Sequence, residues 1–222
     1  KTALAGKTVS APCARKREAR STAISLDPNF RDNMATTSGN MYDAIWTGVI
    51  RNPLGKGVRP LLILVSSCLM GFPCRYNGVI KDYPGLNDAI SRVAVPVCPE
   101  VLGGLGIPRP PSEIMGGTGA QVQHGAARVV NVLGQDVTRA YLSGAQTALS
   151  IGMQAGCRIA VLKARSPACG AGSVYDGTFT GTLTAGDGVF AALLRTHGFK
   201  VYTEDEFQDA LLSFNRQVTG AV

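Results

Sequence analysis

The stretch LLILVSSC, residues 61–68, decides the fold. It is a continuous apolar run that ends in small polar residues and a cysteine, as expected of a strand buried on both faces of a parallel sheet. Two similar runs are VAVPVC (93–98) and RIAVLKA (158–164), and two shorter candidates are RVVNV (128–132) and KVYT (200–203). These segments predict the strands of one sheet.

Helical segments lie between and after these strands. Asp136 or Thr138 is predicted to cap a helix through YLSGAQTALSIGMQ, and Thr203 with Glu206 makes a capping box for EFQDALLSFN. Strands that alternate with helices imply a parallel sheet flanked by helices. Residues 59–222 are therefore predicted to form a single α/β domain with a Rossmann-like fold.

Charge separates this domain from a basic N-terminal extension, residues 1–58. The whole chain of 222 residues carries a net charge of +7. Residues 1–60 hold ten Lys and Arg against four Asp and Glu, whereas residues 61–222 hold twelve against eleven. Because the body of the protein is nearly neutral, we expect no nucleic-acid partner for it.

The extension is rich in Ala, Ser, Thr and Arg and has few acids, which is also typical of a mitochondrial or plastid transit peptide. Its alternative interpretation is a poorly ordered tail. No window reaches the roughly 18 uncharged apolar residues of a membrane span. Six cysteines are too few for a disulfide-dense secreted scaffold, so a reducing, cytoplasmic location is expected unless the extension acts as a targeting segment.

Three of the six cysteines share one context. Cys68 and Cys98 each end an apolar run, and Cys169 follows RIAVLKA closely. Ligands of open parallel sheets bind beyond the carboxyl ends of the strands, so the three thiols are predicted to converge at one edge. Soft thiolates suit an iron–sulfur cluster or a zinc ion. Cys157, which opens a strand, and Cys13 are interpreted as ordinary buried or tail residues.

The spacing of the three cysteines differs from that of zinc ribbons and ferredoxins, which use close pairs such as C-x₂-C. A site of this kind is assembled by the fold. A cubane cluster held by three thiolates leaves one iron open, and an open position on a Lewis-acidic metal is where chemistry occurs.

The cysteines lie in segments rich in Gly, Pro and polar residues, which are predicted to be loops able to bind a polar substrate. Their polar residues are Arg75, Tyr76, Glu100, Arg109, Glu113, Lys163, Arg165, Ser166, Tyr175 and Asp176. Arg109 and Lys163 would supply positive charge near a cluster or pair with Glu113 or Asp176.

At this point several long motifs match one family. The strings SSCLMGFPCRYNG, VPVCPEVLGGLGIPRPPSE, GQDVTRAYLSGAQTAL and AVLKARSPACGAGSVYDGTFTGTLTAGDGVFAALLRTHGFKVY resemble the successive motifs of the DUF523 family, over about residues 61–203. Thiouracil desulfidases contain this domain. The resemblance implies a [4Fe–4S] cluster on Cys68, Cys98 and Cys169 that takes sulfur from a small thio-substituted compound.

The same resemblance implies two catalytic residues. The glutamate of the CPE motif corresponds to Glu100, a candidate general base for water, and the serine of the SPSCG motif corresponds to Ser166. Two positions depart from the family pattern, since Asn77 replaces an aspartate and Ala168 replaces a serine. Cys74 is interpreted as incidental to the ligand set or as a residue beside it.

A second hypothesis is a non-catalytic metal-binding or redox-sensing domain in which three cysteines hold zinc or a labile cluster. Glu100 and Ser166 discriminate between the two, because a structural site needs no general base and normally closes with a fourth protein ligand. The glycine clusters GGLG and GAG lack the strand–G-x-G-x-x-G–helix context of a nucleotide site.

Overall fold

The computed structural model describes residues 61–81 and 83–219 of the chain. Its strands are β1 (Ile63–Ser66), β2 (Ala94–Val97), β3 (Ser112–Met115), β4 (Arg128–Asn131), β5 (Ile159–Leu162), β6 (Ser173–Tyr175), β7 (Leu183–Ala185) and β8 (Lys200–Thr203). Its helices are α1 (Pro84–Ile90), α2 (Pro99–Leu102), α3 (Gly119–Gln123), α4 (Thr138–Gln154), α5 (Val189–Thr196) and α6 (Phe207–Thr219). The predicted extension 1–58 lies outside the described residues, and its targeting role stays a prediction.

Four strands form a parallel sheet in the order β2-β1-β5-β8. The central strand β1 is buried along its whole length, which explains its continuous apolar sequence. From β1 the chain moves to β2 on one side and later returns to β5 on the other side. The strand order therefore reverses between β1 and β5, where an open α/β sheet binds its ligands. The predicted Rossmann-like α/β fold with flanking helices is confirmed.

One predicted strand pairs differently from its neighbours along the chain. RVVNV forms β4, but β4 pairs antiparallel with β3 in a separate two-stranded sheet. Antiparallel strands need only a short connection, whereas a parallel pair needs a long crossover. Only the short helix α3 separates β3 from β4, so the connection suits the antiparallel pairing. A further antiparallel hairpin joins β6 to β7.

The helix starts agree only partly with the sequence prediction. The Glu206 carboxylate accepts the backbone N–H of Thr203, and the Thr203 side chain accepts the backbone N–H of Glu206, so the predicted capping box is formed. The expected cap of α4 was wrong, because Val137 occupies the cap position. Asp136 instead accepts a hydrogen bond from the Thr138 N–H, and the Thr138 hydroxyl accepts the Val129 N–H, which ties α4 to β4.

Two close backbone contacts fix the segments around the sheet edge. A Cβ added at Gly144 of α4 would overlap the Pro99 carbonyl oxygen, so α2 lies directly on the backbone of α4. A Cβ at Gly188 would come within 2.6 Å of the Ala168 carbonyl oxygen and 2.7 Å of that of Ser166. Only glycine allows such approaches. Within the described residues, no helix is long and apolar enough to cross a membrane.

Candidate metal centre and active site

A cavity of about 530 Å³ opens at the carboxyl edge of the parallel sheet, and the three predicted thiols line it. Cys68 follows β1, Cys98 directly follows β2, and Cys169 lies beyond the end of β5. Glu100 and Ser166 line the same cavity. The structure therefore brings the five predicted site residues together, while their chemical roles stay predictions.

The segments that carry these cysteines are more ordered than loops. Cys68 lies in a 3₁₀ turn, Ser67–Met70, and Cys98 immediately precedes α2, whose first turn holds Glu100. Pro99 begins α2 because its fixed φ and missing N–H suit the first helical position. Glu100 is thus placed by a helix that starts one residue after a candidate ligand.

Ser166 fixes the turn that carries Cys169. Its Oγ accepts hydrogen bonds from the backbone N–H groups of Ala168 and Cys169, both at 3.1 Å. A hydroxyl has two acceptor sites and one donor, so these two bonds leave its O–H as a donor. The Ser166 side chain therefore stabilises the turn and still offers a hydrogen-bond donor to the cavity that it lines.

Glu100 forms an ion pair with Arg109, whose Nε lies 2.7 Å from Oε2. The two side chains are only 15% and 6% exposed, so solvent screens the pair weakly. Burial lowers the pKa of Arg109, but the charge and the hydrogen bond of Glu100 raise it further, with a net rise. The expected pairing of Arg109 with Glu113 or Asp176 was wrong, because Glu100 lies closer in the fold.

Arg109 also connects Glu100 to the loop behind Cys68. Its Nη2 donates to the Cys74 carbonyl oxygen at 2.9 Å, and its Nη1 donates to that of Gly106 at 3.1 Å. The Cys98 thiol contacts the same Cys74 carbonyl at 3.8 Å. One guanidinium thus holds the candidate base and the backbone beside a candidate ligand.

Cys74 is a fourth thiol at this site. It is 3% exposed, lines the cavity and exchanges hydrogen bonds with the thiols of Cys68 and Cys98. These bonds raise the pKa of Cys74 above its usual value, and the bond with Cys74 lowers that of Cys98. Cys74 follows Cys68 in the same segment of the sequence, and this proximity was the signal that Cys74 lies at the same site.

Lys163 joins the ends of the central strands. Its backbone N–H donates to Ser66 Oγ at 3.0 Å, and its ammonium pairs with Glu204. The other Glu204 oxygen accepts the Ala164 N–H at 2.6 Å. The suggested partners of Lys163, Glu113 and Asp176, are therefore replaced by a residue that follows β8.

Two further residues of the cavity escaped the sequence analysis. Tyr141 of α4 is 1% exposed, and burial raises its pKa well above the usual value. The Ser67 hydroxyl is buried at the cavity and has no hydrogen-bond partner within the described part of the chain. In the sequence, Tyr141 has the pattern of an ordinary core residue of an amphipathic helix. Ser67 and Ser66 are adjacent serines, and nothing in the sequence indicates that one of their hydroxyls lacks a partner.

The donor set fits a thiolate-bound cluster. Soft sulfur donors from three separate strand ends line one cavity. The Ser67 hydroxyl at the same cavity is buried and has no hydrogen-bond partner among the described residues, so it can donate to a bound group. Within residues 61–81 and 83–219, no three His, Cys, Asp or Glu side chains are arranged to hold a metal ion. Thiols spread around a cavity suit a cluster, whose ligands bind different irons, better than one ion.

Comparison with known proteins agrees with this geometry. The family model described as 2-thiouracil desulfurase matches residues 63–206. The uncharacterized protein YbbK of Bacillus subtilis (strain 168) is 44% identical over 151 residues, which cover 68% of this chain and 100% of that protein.

The solved structure of the [4Fe–4S]-dependent thiouracil desulfidase TudS has a TM-score of 0.59 and 39% identity, and the match covers 70% of this chain and 99% of that chain. The predicted [4Fe–4S] cofactor agrees with the dependence of that neighbour. This chain belongs to the 2-thiouracil desulfurase family.

Proposed function

We propose that this protein is a [4Fe–4S]-dependent desulfidase that acts on a small thiolated compound such as 2-thiouracil. The observation that carries the proposal is the convergence of Cys68, Cys98, Cys169, Glu100 and Ser166 on one cavity. The net change is the non-redox replacement of C=S by C=O. Water supplies the oxygen and two protons, and sulfur leaves as hydrogen sulfide.

Cys68, Cys98 and Cys169 would hold the cluster. A cluster bound there would supply a Lewis-acidic iron for a soft thiocarbonyl sulfur, which would make the attached carbon more electrophilic. The chain's own contribution is to bind the substrate, place a base near water and supply protons.

Glu100 is the residue best placed to take a proton from water. Its carboxylate lines the cavity, and the ion pair with Arg109 fixes its position through Oε2. An oriented carboxylate can remove the proton as water attacks and later return it to the departing sulfur.

Ser166 supplies a hydrogen-bond donor. Its two acceptor positions serve the N–H groups of Ala168 and Cys169, so its O–H can point to an oxygen of the substrate or to negative charge that develops there. A preoriented donor of this kind stabilises charge without reorganisation. The same side chain thus fixes the turn that carries Cys169 and offers a hydrogen-bond donor to the substrate.

The second candidate function is a non-catalytic metal-binding or redox-sensing site. Its one supporting observation is that Cys74, a fourth cysteine, lines the same cavity as Cys68, Cys98 and Cys169. A site closed by four thiolates would be structural. Glu100 and Ser166 in the same cavity favour the enzyme, since a structural site needs no general base beside its ligands.

The test is sulfide release from 2-thiouracil by the cluster-loaded protein. Glu100→Gln removes the base, and we expect a loss of about 10²- to 10⁴-fold in kcat. Glu206→Gln is the matched control, because Glu206 lies in the capping box before α6. Equal rates for wild type and Glu100→Gln would remove Glu100 from the mechanism. A cluster-loaded wild type that releases no sulfide from 2-thiouracil or other thiones would contradict the proposed function.

A further inference from the structure

Backbone strain within the described residues is concentrated at the cavity. Arg165 and Phe179, with φ of 63° and 58°, are the non-glycine residues with positive φ in that part of the chain. Both line the cavity. A bulky side chain in the left-handed region is a true outlier, and such outliers cluster at ligand sites where the surrounding structure holds them.

A buried carboxylate holds Phe179 in this conformation. Glu113 of β3 is 8% exposed, and its Oε2 accepts the backbone N–H groups of Gly177 at 3.0 Å and Phe179 at 2.9 Å. Glu113 forms no ion pair with any described residue. A carboxylate buried without a cation is costly, so these two hydrogen bonds are the evident reason for its place.

The turn that carries Phe179 is also pressed against β3. Gly177 has a φ of 89°, and a Cβ there would come within 2.6 Å of the Ile114 carbonyl oxygen. Next to it, Asp176 accepts hydrogen bonds from the N–H and the hydroxyl of Thr178. The tip of the β6–β7 hairpin is therefore fixed before any ligand binds.

We propose that Phe179 determines substrate specificity by presenting a preoriented aromatic ring to a planar thio-substituted heterocycle, with Glu113 as its positioning residue. The inference rests on the proposed function and adds the element that selects the ring. Because its backbone is fixed, the phenyl ring has fewer conformations to lose when a flat heterocycle stacks on it. Acyclic thioamides lack a ring to stack and gain nothing from it.

Phe179→Gly tests the proposal, because glycine adopts a φ of 58° without strain. We expect an unchanged or higher Tm, a KM for 2-thiouracil raised about tenfold, and kcat changed less than twofold. The KM for thioacetamide should stay within twofold of wild type. Phe179→Tyr keeps the ring and should restore the KM, and Thr180→Ala is the control in the same turn.

Glu113→Gln tests the positioning role. In the wild-type background it should raise the KM for 2-thiouracil, and in the Phe179→Gly background it should raise it no further. Additive effects in the two backgrounds would show that Glu113 acts elsewhere.

Binding of uracil, followed by calorimetry, separates this inference from the proposed function because it needs no turnover. We expect uracil to bind Phe179→Gly about tenfold more weakly than wild type. Equal binding to both proteins, or binding to neither, would overturn the role of Phe179 even if wild type releases sulfide. An inactive wild type that binds uracil through Phe179 would contradict the desulfidase alone.

Discussion

Gly144→Ala tests how the fold places the candidate base. Gly144 lies on α4 against α2, the helix that begins at Pro99 directly after Cys98 and carries Glu100 in its first turn. An added methyl group would overlap the Pro99 carbonyl oxygen and lie 2.8 Å from the carbonyl carbon. Backbone on both sides leaves no flexible side chain to yield, so α2 must move.

The size of the effect follows from these distances. Carbon atoms pack at about 3.5 Å or more, so the contact with the Pro99 carbonyl carbon alone requires α2 to shift by about 0.7 Å, and the closer carbonyl oxygen requires a shift of more than about 1 Å. Overpacking of this kind costs about 1–3 kcal/mol, and the higher helix propensity of alanine offsets about 1 kcal/mol. We expect net destabilisation of up to about 2 kcal/mol. Because Glu100 moves with α2, kcat should fall by about 10²-fold, the effect of a misplacement near 1 Å.

Gly152→Ala is the matched control on the same helix. Its added methyl group would meet the Leu64 Cδ2 at 2.9 Å, and the end of a leucine side chain can move aside. The assay is urea unfolding followed by sulfide release from 2-thiouracil at equal cluster content. If Gly144→Ala retains both the stability and the kcat of Gly152→Ala, the close contact between α2 and α4 does not set the site.

Three further predictions follow from single contacts. Arg109→Met should lower the free energy of unfolding by about 3–5 kcal/mol in urea titrations, since it leaves the Glu100 carboxylate buried and unpaired; a loss below about 1 kcal/mol would contradict this. Ser67→Ala should stabilise the cluster-free protein by about 1–3 kcal/mol, because it removes a buried hydroxyl without a partner, and a lower Tm would show that the hydroxyl is satisfied. Hydrogen bonds from Thr138 hold the pKa of Asp136 below its usual value, so its stabilisation is complete above about pH 4 and is lost as the pH falls through the folded pKa. Asp136→Asn should flatten that part of the pH profile of unfolding, and an unchanged profile would contradict the role of these bonds.

The parallel sheet could be predicted because β1, β2 and β5 are buried along their whole length and have continuous apolar sequences, whereas β8 is only partly buried and gives a weaker signal. The position of the cysteines at strand ends then placed Cys68, Cys98 and Cys169 at one edge, since parallel strands share their direction. The pairing of β4 could not be predicted, because RVVNV has the same apolar character as the sheet strands. Its partner β3 lies within PPSEIM (110–115), where Pro and Glu, which are uncommon in strands, argue against a strand in the sequence.

The charge pairs of the site escaped prediction for a different reason. Arg109 reaches Glu100 only because the chain between them turns back over α2, and sequence spacing does not reveal that path. Tyr141 joins the cavity through the rotation of α4, and the partnerless Ser67 hydroxyl is a property of packing alone. Contacts made by tertiary packing are the part that a single sequence leaves open.

The most direct test of the account is the iron and acid-labile sulfide content of the protein after anaerobic reconstitution, together with its Mössbauer spectrum. Wild type should bind about four irons and four sulfides per chain, with one iron distinct from the other three. Cys68→Ala, Cys98→Ala and Cys169→Ala should each lose the cluster. Cys157→Ala should keep it, because burial in the core raises the pKa of Cys157 to about 12 and leaves it away from the cavity lining. A colourless wild type that carries zinc and takes up no cluster would contradict the account.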